Sequence, residues 1–112
     1  MRCIPESFER GALTEAVFYI LLSLHKPMHG YALMQNIEKM TEGRVILGPG
    51  TLYGAINALV QKRWIVAVSA EQDSRKKEYN ITDAGRTAFL REIDRLNELL
   101  RNSEKAYGGT ET

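Results

Sequence analysis

The most regular hydrophobic pattern in the chain begins at Pro49 and predicts a helix. Leu52, Ile56 and Leu59 recur at i, i+4 and i+7, so they share one helical face. Proline suits the first helical position, where its missing N–H would have had no partner. The opposite face, within residues 50–61, is short, polar and uncharged. With Tyr53 at its edge, it consists of Gly50, Gly54, Asn57, Ala58 and Gln61.

A glycine inside this helix needs an explanation, because Gly54 costs about 1 kcal/mol there relative to alanine. The close approach of another surface would supply one. That surface is either the floor of a DNA major groove or a second helix of the same protein. The helix alone favours neither reading.

Three further helices are predicted around this one. Residues 12–25 are apolar nearly all round, which indicates burial on two sides, and Pro27 follows their end. A second helix covers residues 30–40. The last covers residues 83–105, with Thr82 as its N-cap, and its exposed charges include an i, i+3 pair, Arg95 and Glu98.

The remaining regular segments are β-prone. Residues 44–47 predict a short strand that pairs with a later one. Residues 65–69 and 75–81 predict two strands on either side of a polar turn, which together form a hairpin with an exposed, charged tip.

This order of elements predicts a winged helix-turn-helix, a mainly α fold with a small β hairpin (α+β). The helix from Pro49 is then the recognition helix, and the hairpin is the wing. We expect a winged-helix domain over residues 1–82, a dimerisation helix over 83–105 and a disordered tail over 106–112.

Composition and charge agree with a nucleic-acid-binding domain. The net charge is only +1, but residues 48–82 hold five basic against three acidic side chains. No apolar run approaches the roughly 20 residues that span a bilayer, and the single cysteine excludes an internal disulfide, which fits a cytoplasmic protein.

Catalytic and metal-binding chemistry is not predicted. The sequence shows no Ser-His-Asp, Cys-His or phosphate-loop arrangement, so we expect neither an enzyme nor a cofactor. His25 and His29 are four residues apart, but Pro27 interrupts the helix that would align them on a metal ion.

Three sequence blocks resemble the PadR-like transcriptional regulators of the short type, which have one C-terminal helix. The blocks are His29-Gly30-Tyr31-Ala32-Leu33, Pro49-Gly50-Thr51-Leu52-Tyr53, and Lys77-x-Tyr79-x-Ile81-Thr82-x-x-Gly85. The resemblance covers residues 12 to about 100. It implies a homodimeric bacterial repressor that binds a pseudo-palindromic operator, often near its own promoter, and that a small-molecule effector releases.

The sequence departs from that family pattern at three places. Gly48 stands where serine usually caps the recognition helix, which costs at most a few tenths of a kcal/mol. Arg63 replaces the glycine at its end, so the helix is expected to end differently and to tilt the wing. Asp73 and Ser74 replace glycines of the wing.

The candidate DNA-binding residues have structural alternatives. Tyr31 and Tyr53 either donate to phosphates, as the family pattern implies, or pack the helix pair. Thr51 either completes the first turn or reaches a phosphate, and Asn57 is the best candidate for adenine recognition. The remaining candidates are the small or polar residues of the outward face and three basic wing residues: Gly50, Gly54, Ala58, Gln61, Arg75, Lys76 and Lys77.

The last helix carries an apolar seam spaced 4, 3, 4, as in a coiled coil, and it lacks a partner within the chain. We expect a homodimer contact through this seam and the first helix, consisting of Leu13, Val17, Phe89, Ile93, Leu96 and Leu100. An effector would lodge between these two helices and change the separation of the recognition helices.

Two alternatives stay open. Trp64 is expected to pack under the wing, and stacking on a small molecule is the other reading. For the whole chain, the rival function is a winged-helix protein-interaction module whose basic wing docks an acidic partner without specific DNA binding.

Overall fold

The computed structural model describes residues 12–69, 72 and 76–108. In chain order the elements are α1 (Glu15–Ser23), β1 (Met28–His29), α2 (Gly30–Met40), α3 (Pro49–Gln61), β2 (Ile65–Ala67), β3 (Glu78–Ile81) and α4 (Asp83–Tyr107). These helices and the small sheet confirm the predicted fold class. Helix α2 matches its prediction residue for residue, and α4 continues two residues beyond its predicted end.

The three strands form one antiparallel sheet in the order β1-β3-β2. The hairpin of β2 and β3 was predicted, and Ile65 lies opposite Ile81 in it. Strand β1 was not predicted. It places Met28 opposite Tyr79 and thereby fastens the segment before α2 to the base of the wing.

The prediction of a strand at residues 44–47 is wrong. Glu42 and Gly43 both have positive φ, 53° and 82°, so the chain turns sharply after α2. The amide of Val45 then donates to the Thr41 hydroxyl, 3.0 Å away, instead of to a neighbouring strand. The strand that pairs with the hairpin is β1, which lies beside β3.

A single hydrophobic core lies between the helices and the sheet. Helices α1, α2 and α3 and strands β2 and β3 all contribute to it, and its buried members are Ile20, Leu21, Leu24, Leu33, Ile37, Leu52, Ile56, Leu59, Ile65, Tyr79 and Ile81. Helix α4 contacts this core through its first turns, and every described residue from Leu96 onward is exposed. The second half of α4 therefore projects from the domain.

Threonines begin the first and last helices. The Thr14 hydroxyl accepts from the Val17 amide at 3.1 Å, so α1 begins after Thr14 and not at residue 12. The Thr82 hydroxyl accepts from the Gly85 amide at 3.1 Å, which confirms the predicted cap of α4. Each bond satisfies one of the free N–H groups at a helix start.

Helix α3 ends in a left-handed residue although that residue is not glycine. Arg63 has φ 65°, and the amide of Trp64 donates to the Leu59 carbonyl at 3.0 Å, the pattern of a Schellman cap. The expectation of a different helix end is therefore wrong. Hydrogen bonds from Thr82 to the carbonyls of Arg63 and Trp64 hold this conformation against the start of α4.

Within the described part of the chain, no helix is both long and apolar enough to span a bilayer. The longest, α4, has 25 residues, but charged side chains recur along it.

We predict that Arg63→Gly stabilises the fold. A non-glycine residue in the left-handed region costs about 1–2 kcal/mol, and glycine removes this strain. Glycine also loses more conformational freedom on folding, which offsets part of the gain in stability. The free energy of unfolding, measured by urea denaturation, should rise by about 0.5–1 kcal/mol. The matched control is Lys62→Gly at the preceding residue, where φ is −76° and glycine should lower stability.

Candidate nucleic-acid interface

Helix α3 has one fully buried face and one open face. Leu52 and Ile56 are 0% exposed. The open face is exposed throughout and consists of Gly50, Thr51, Gly54, Asn57, Ala58 and Gln61. Apart from the adjacent residues and the backbone of α3 itself, no described heavy atom lies within 4 Å of the position that a Cβ would occupy at Gly54. Among the described residues, nothing in the chain therefore explains this glycine by a helix–helix contact.

Tyr53 lies between these two faces. It is half-buried against the core, and its ring covers the start of α2, where a Cβ on Gly30 would overlap the hydroxyl and lie 2.7 Å from Cζ. Burial raises the pKa of the neighbouring Tyr79 hydroxyl, and Tyr53 adds to that rise. Tyr53 therefore packs between α3 and α2, which is the structural alternative to a phosphate contact. Gly30 leaves space for its ring because it has no side chain.

The start of α2 is capped by His29, a residue for which no capping role was predicted. The Ala32 amide donates to Nδ1 of His29 at 3.3 Å, so His29 is the N-cap. Tyr31, in the first turn, is 60% exposed and free to contact another molecule. A histidine directly before Gly-Tyr at a helix start was the signal for this cap, but histidine is an uncommon N-cap.

The start of α3 has no side-chain cap. Gly48 is the N-cap residue with φ −75°, and it offers no hydroxyl to the first amides. Pro49 and the exposed Thr51 follow. The unpaired N–H groups and the helix dipole make such an end favourable for an anion such as phosphate.

The wing carries its basic residues next to β3. Lys76 is exposed and Lys77 is half-buried, whereas Arg75 lies outside the described residues, as do Asp73 and Ser74. Two bonds join the arms of the hairpin at this level: the Val68 amide donates to the Glu78 carbonyl at 2.8 Å, and the Glu78 amide donates to the Ser69 hydroxyl at 3.1 Å.

Helices α1 and α4 meet through aromatic rings. The ring of Phe18 lies 4.9 Å from that of Phe89, centroid to centroid, tilted by 32°. Leu13, Val17 and Ile93 are half-buried nearby. Farther along α4, Leu96 and Leu100 are 40% and 56% exposed. The seam therefore begins inside the domain and continues onto the free half of α4.

A buried ion pair lies beside this seam. Glu92 is only 4% exposed, and its carboxylate accepts from Nε and Nη2 of Arg95 at 2.8 and 2.6 Å. Those bonds, with a smaller contribution from the Leu13 amide, hold the pKa of Glu92 below its usual value. The predicted pairing of Arg95 with Glu98 is wrong, because Arg95 turns toward the buried carboxylate instead.

A cavity of about 310 Å³ lies between α1 and α4 beside this ion pair, lined by Leu13, Glu15, Phe18, Tyr19, Glu92, Arg95 and Leu96. The Glu15 carboxylate also accepts a hydrogen bond from Arg44, and this bond lowers the pKa of Glu15. Arg44 belongs to the turn before α3, so the wall of the cavity is joined to the segment that leads into that helix.

The helix order, the antiparallel sheet and the open face of α3 beside the hairpin define a winged helix-turn-helix protein. The sequence profile of the transcriptional regulator PadR-like family matches residues 18–91. The chain belongs to this family of transcriptional regulators, which are not enzymes.

One similar sequence occurs in Streptomyces fradiae. Over 73 residues the chain is 37% identical to an uncharacterized 37.1 kDa protein in transposon TN4556, a match that covers 65% of this chain and 20% of that protein. The chain thus spans about a fifth of the length of this relative.

Solved structures share the fold over most of the chain. A PadR-like transcription factor from Bacteroides fragilis has a TM-score of 0.66 at 26% identity, covering 80% of this chain and 87% of its own. RosR of H. salinarum has a TM-score of 0.62 at 25% identity, covering 80% and 76%. A transcriptional regulator from Clostridium thermocellum, at 21% identity, has a TM-score of 0.67 and covers 81% and 90%.

Proposed function

We propose that this regulator is a cytoplasmic, homodimeric repressor that binds a pseudo-palindromic DNA operator through α3. The observation that carries the proposal is the open face of α3. At Gly54 this face has no side chain, and no described residue outside the helix packs against it. Such a face can approach the floor of a major groove closely, and Asn57 is the side chain on it best suited to an adenine edge.

Phosphate contacts would hold α3 in place. Lys76, Lys77 and the adjacent Arg75 form a run of three cations in the wing, although Glu71, Asp73 and Glu78 make the hairpin neutral overall. The exposed Tyr31 and Thr51 lie in the first turns of α2 and α3. The packed Tyr53 is the weakest candidate for a direct contact, because its ring already covers Gly30. Its hydroxyl group would act at the edge of the interface.

The second half of α4 would form the dimer together with α1. Thirteen described residues, from Leu96 to Gly108, are exposed, and Leu96, Leu99 and Leu100 form an apolar stripe among them. A projecting helix with such a stripe is stabilised by a partner. A two-fold dimer would present two α3 helices to half-sites about one DNA turn apart.

The cavity between α1 and α4 is the place where an effector would act in this proposal. It lies next to the dimer seam, and Glu15 joins its wall to Arg44 before α3. A ligand there would favour a different spacing of the two recognition helices and so release the operator.

The DNA-binding proposal predicts a steep salt dependence. A duplex is first selected from a randomised pool by the wild-type chain, and its dissociation constant is measured from about 50 to about 300 mM salt. The double variant Lys76→Ala/Lys77→Ala should bind more weakly. The magnitude of the slope of log K against log salt should fall by about 4, roughly one unit for each of the four phosphates that the two wings of the dimer no longer neutralise.

Lys39→Ala is the matched control, since Lys39 is exposed at the far end of α2, and its slope should equal the wild-type slope. An unchanged slope in the wing variant would remove the wing from the interface. A selection that enriches no duplex would favour the protein-interaction module instead.

The dimer proposal predicts that Leu100→Glu yields a monomer. Leu100 is 56% exposed in the protomer, so the substitution leaves the fold intact while placing a charge in the contact. Sedimentation equilibrium should show a loss of dimer, whereas Asn97→Glu, also on the exposed half of α4, should remain dimeric. A dimer of unchanged affinity in Leu100→Glu would place the contact elsewhere.

A further inference from the structure

Arg63 holds a backbone conformation that its own residue type disfavours. It lies directly after α3 with φ 65°, in the left-handed region. Glycine, which the family pattern has at this position, would make the same Schellman turn without strain. The turn is held from outside, because the carbonyls of Arg63 and Trp64 accept from the hydroxyl and the amide of Thr82. None of these bonds requires an arginine.

The side chain of Arg63 has no role within the part of the chain that the structure describes. The residue is exposed. No described carboxylate forms an ion pair with it, in contrast to three other arginines of the chain. A cation is favoured near a helix C-terminus, but Lys62 already occupies the C-cap of α3. Lys62 also makes the cation–π contact of this corner, with its ammonium 5.2 Å from the centroid of the Trp64 ring.

Arg63 lies at the corner between the two elements that the proposed function places on DNA. Gln61, two residues before it, ends the open face of α3, and Ile65, two residues after it, begins the wing. The wing lysines lie farther along the hairpin, next to the bond between Val68 and Glu78. At about 3.3 Å per residue, that level is about 10 Å from Ile65. Arg63 and the wing lysines would therefore meet different phosphates.

We propose that Arg63 binds a phosphate of the operator backbone at the base of the wing, and that the left-handed strain is tolerated because of this contact. Strained residues cluster at functional sites. The planar guanidinium can donate two parallel hydrogen bonds to a phosphate. Such a contact positions α3 in the groove without reading the base sequence. The inference rests on the proposed function, since it requires the open face of α3 to meet DNA.

Stability and DNA affinity should change in opposite directions in Arg63→Gly and Arg63→Asn, because glycine and asparagine accept the left-handed conformation. The urea midpoint of both variants should rise. For the duplex selected by the wild-type chain, the dissociation constant at about 50 mM salt should rise about tenfold. The magnitude of the salt slope should fall by about 2, one phosphate for each protomer of the dimer. Arg63→Lys should keep the wild-type slope, and the control Lys39→Ala should keep both slope and affinity.

A second measurement locates the contact on the DNA. Duplexes are prepared in which one phosphate of each half-site is replaced by an uncharged methylphosphonate, one position at a time. The wild-type chain should lose affinity at several positions. Arg63→Gly should lose affinity at the same positions except one or two, where the replacement no longer matters to it. Lys76→Ala/Lys77→Ala should become insensitive at other positions, because the wing lysines meet other phosphates. A purely structural role of Arg63 would leave the wild-type pattern unchanged.

Three results would overturn this inference and leave the proposed function in place. The first is wild-type affinity and salt slope in Arg63→Gly, and the second is an unchanged methylphosphonate pattern in that variant. The third is a lower urea midpoint in both Arg63→Gly and Arg63→Asn, because the arginine side chain would then serve the fold itself. If the wild-type chain selects no duplex at all, the proposed function fails and this inference fails with it, so the two failures are distinguishable.

Discussion

The burial of one side of α3 is the constraint on which the rest of the molecule depends. Leu52, Ile56 and Leu59 form the buried apolar side of this helix, and they pack in one core with residues of α1, α2 and the sheet. Their spacing leaves the other side no function in the core. Because that side is built from glycine, alanine and short polar residues, the fold presents a smooth helix surface at the point where a winged helix meets DNA.

The neighbouring elements fix the direction in which this surface points. At its start, the ring of Tyr53 rests on Gly30, which sets the approach of α3 to α2. At its end, Arg63 reverses the chain in a left-handed conformation, and the first turn of α4 holds that reversal through Thr82. Helix α3, the hairpin and α4 therefore share one junction. In the proposed dimer, a change in the separation of the two α4 helices would reach α3 through this junction.

The sequence predicts those features that local patterns determine. The apolar stripe of α3, the Thr82 cap and the hairpin were all predicted, because helix spacing, cap residues and turn composition act over a few positions. Strand β1 was missed, since a two-residue strand has no periodicity and owes its existence to a distant partner, Tyr79. Residues 44–47 were assigned a strand because their residue types favour one locally. In that segment β-propensity yields to a hydrogen bond from the Val45 amide to Thr41. The burial of Glu92 depends on packing between helices, which the sequence does not show, so Arg95 was paired with Glu98 in the prediction and not with Glu92.

The central claim is that the open side of α3 is bare because another molecule lies against it, and Gly54→Leu tests it most directly. Leucine is the better helix former, and no described atom opposes a side chain at this position, so the free energy of unfolding should rise by about 0.5–1 kcal/mol. Affinity for the selected duplex should nevertheless fall by at least about tenfold, an energy of about 1.4 kcal/mol. A variant that loses stability but binds the duplex as tightly as the wild-type chain would contradict the account.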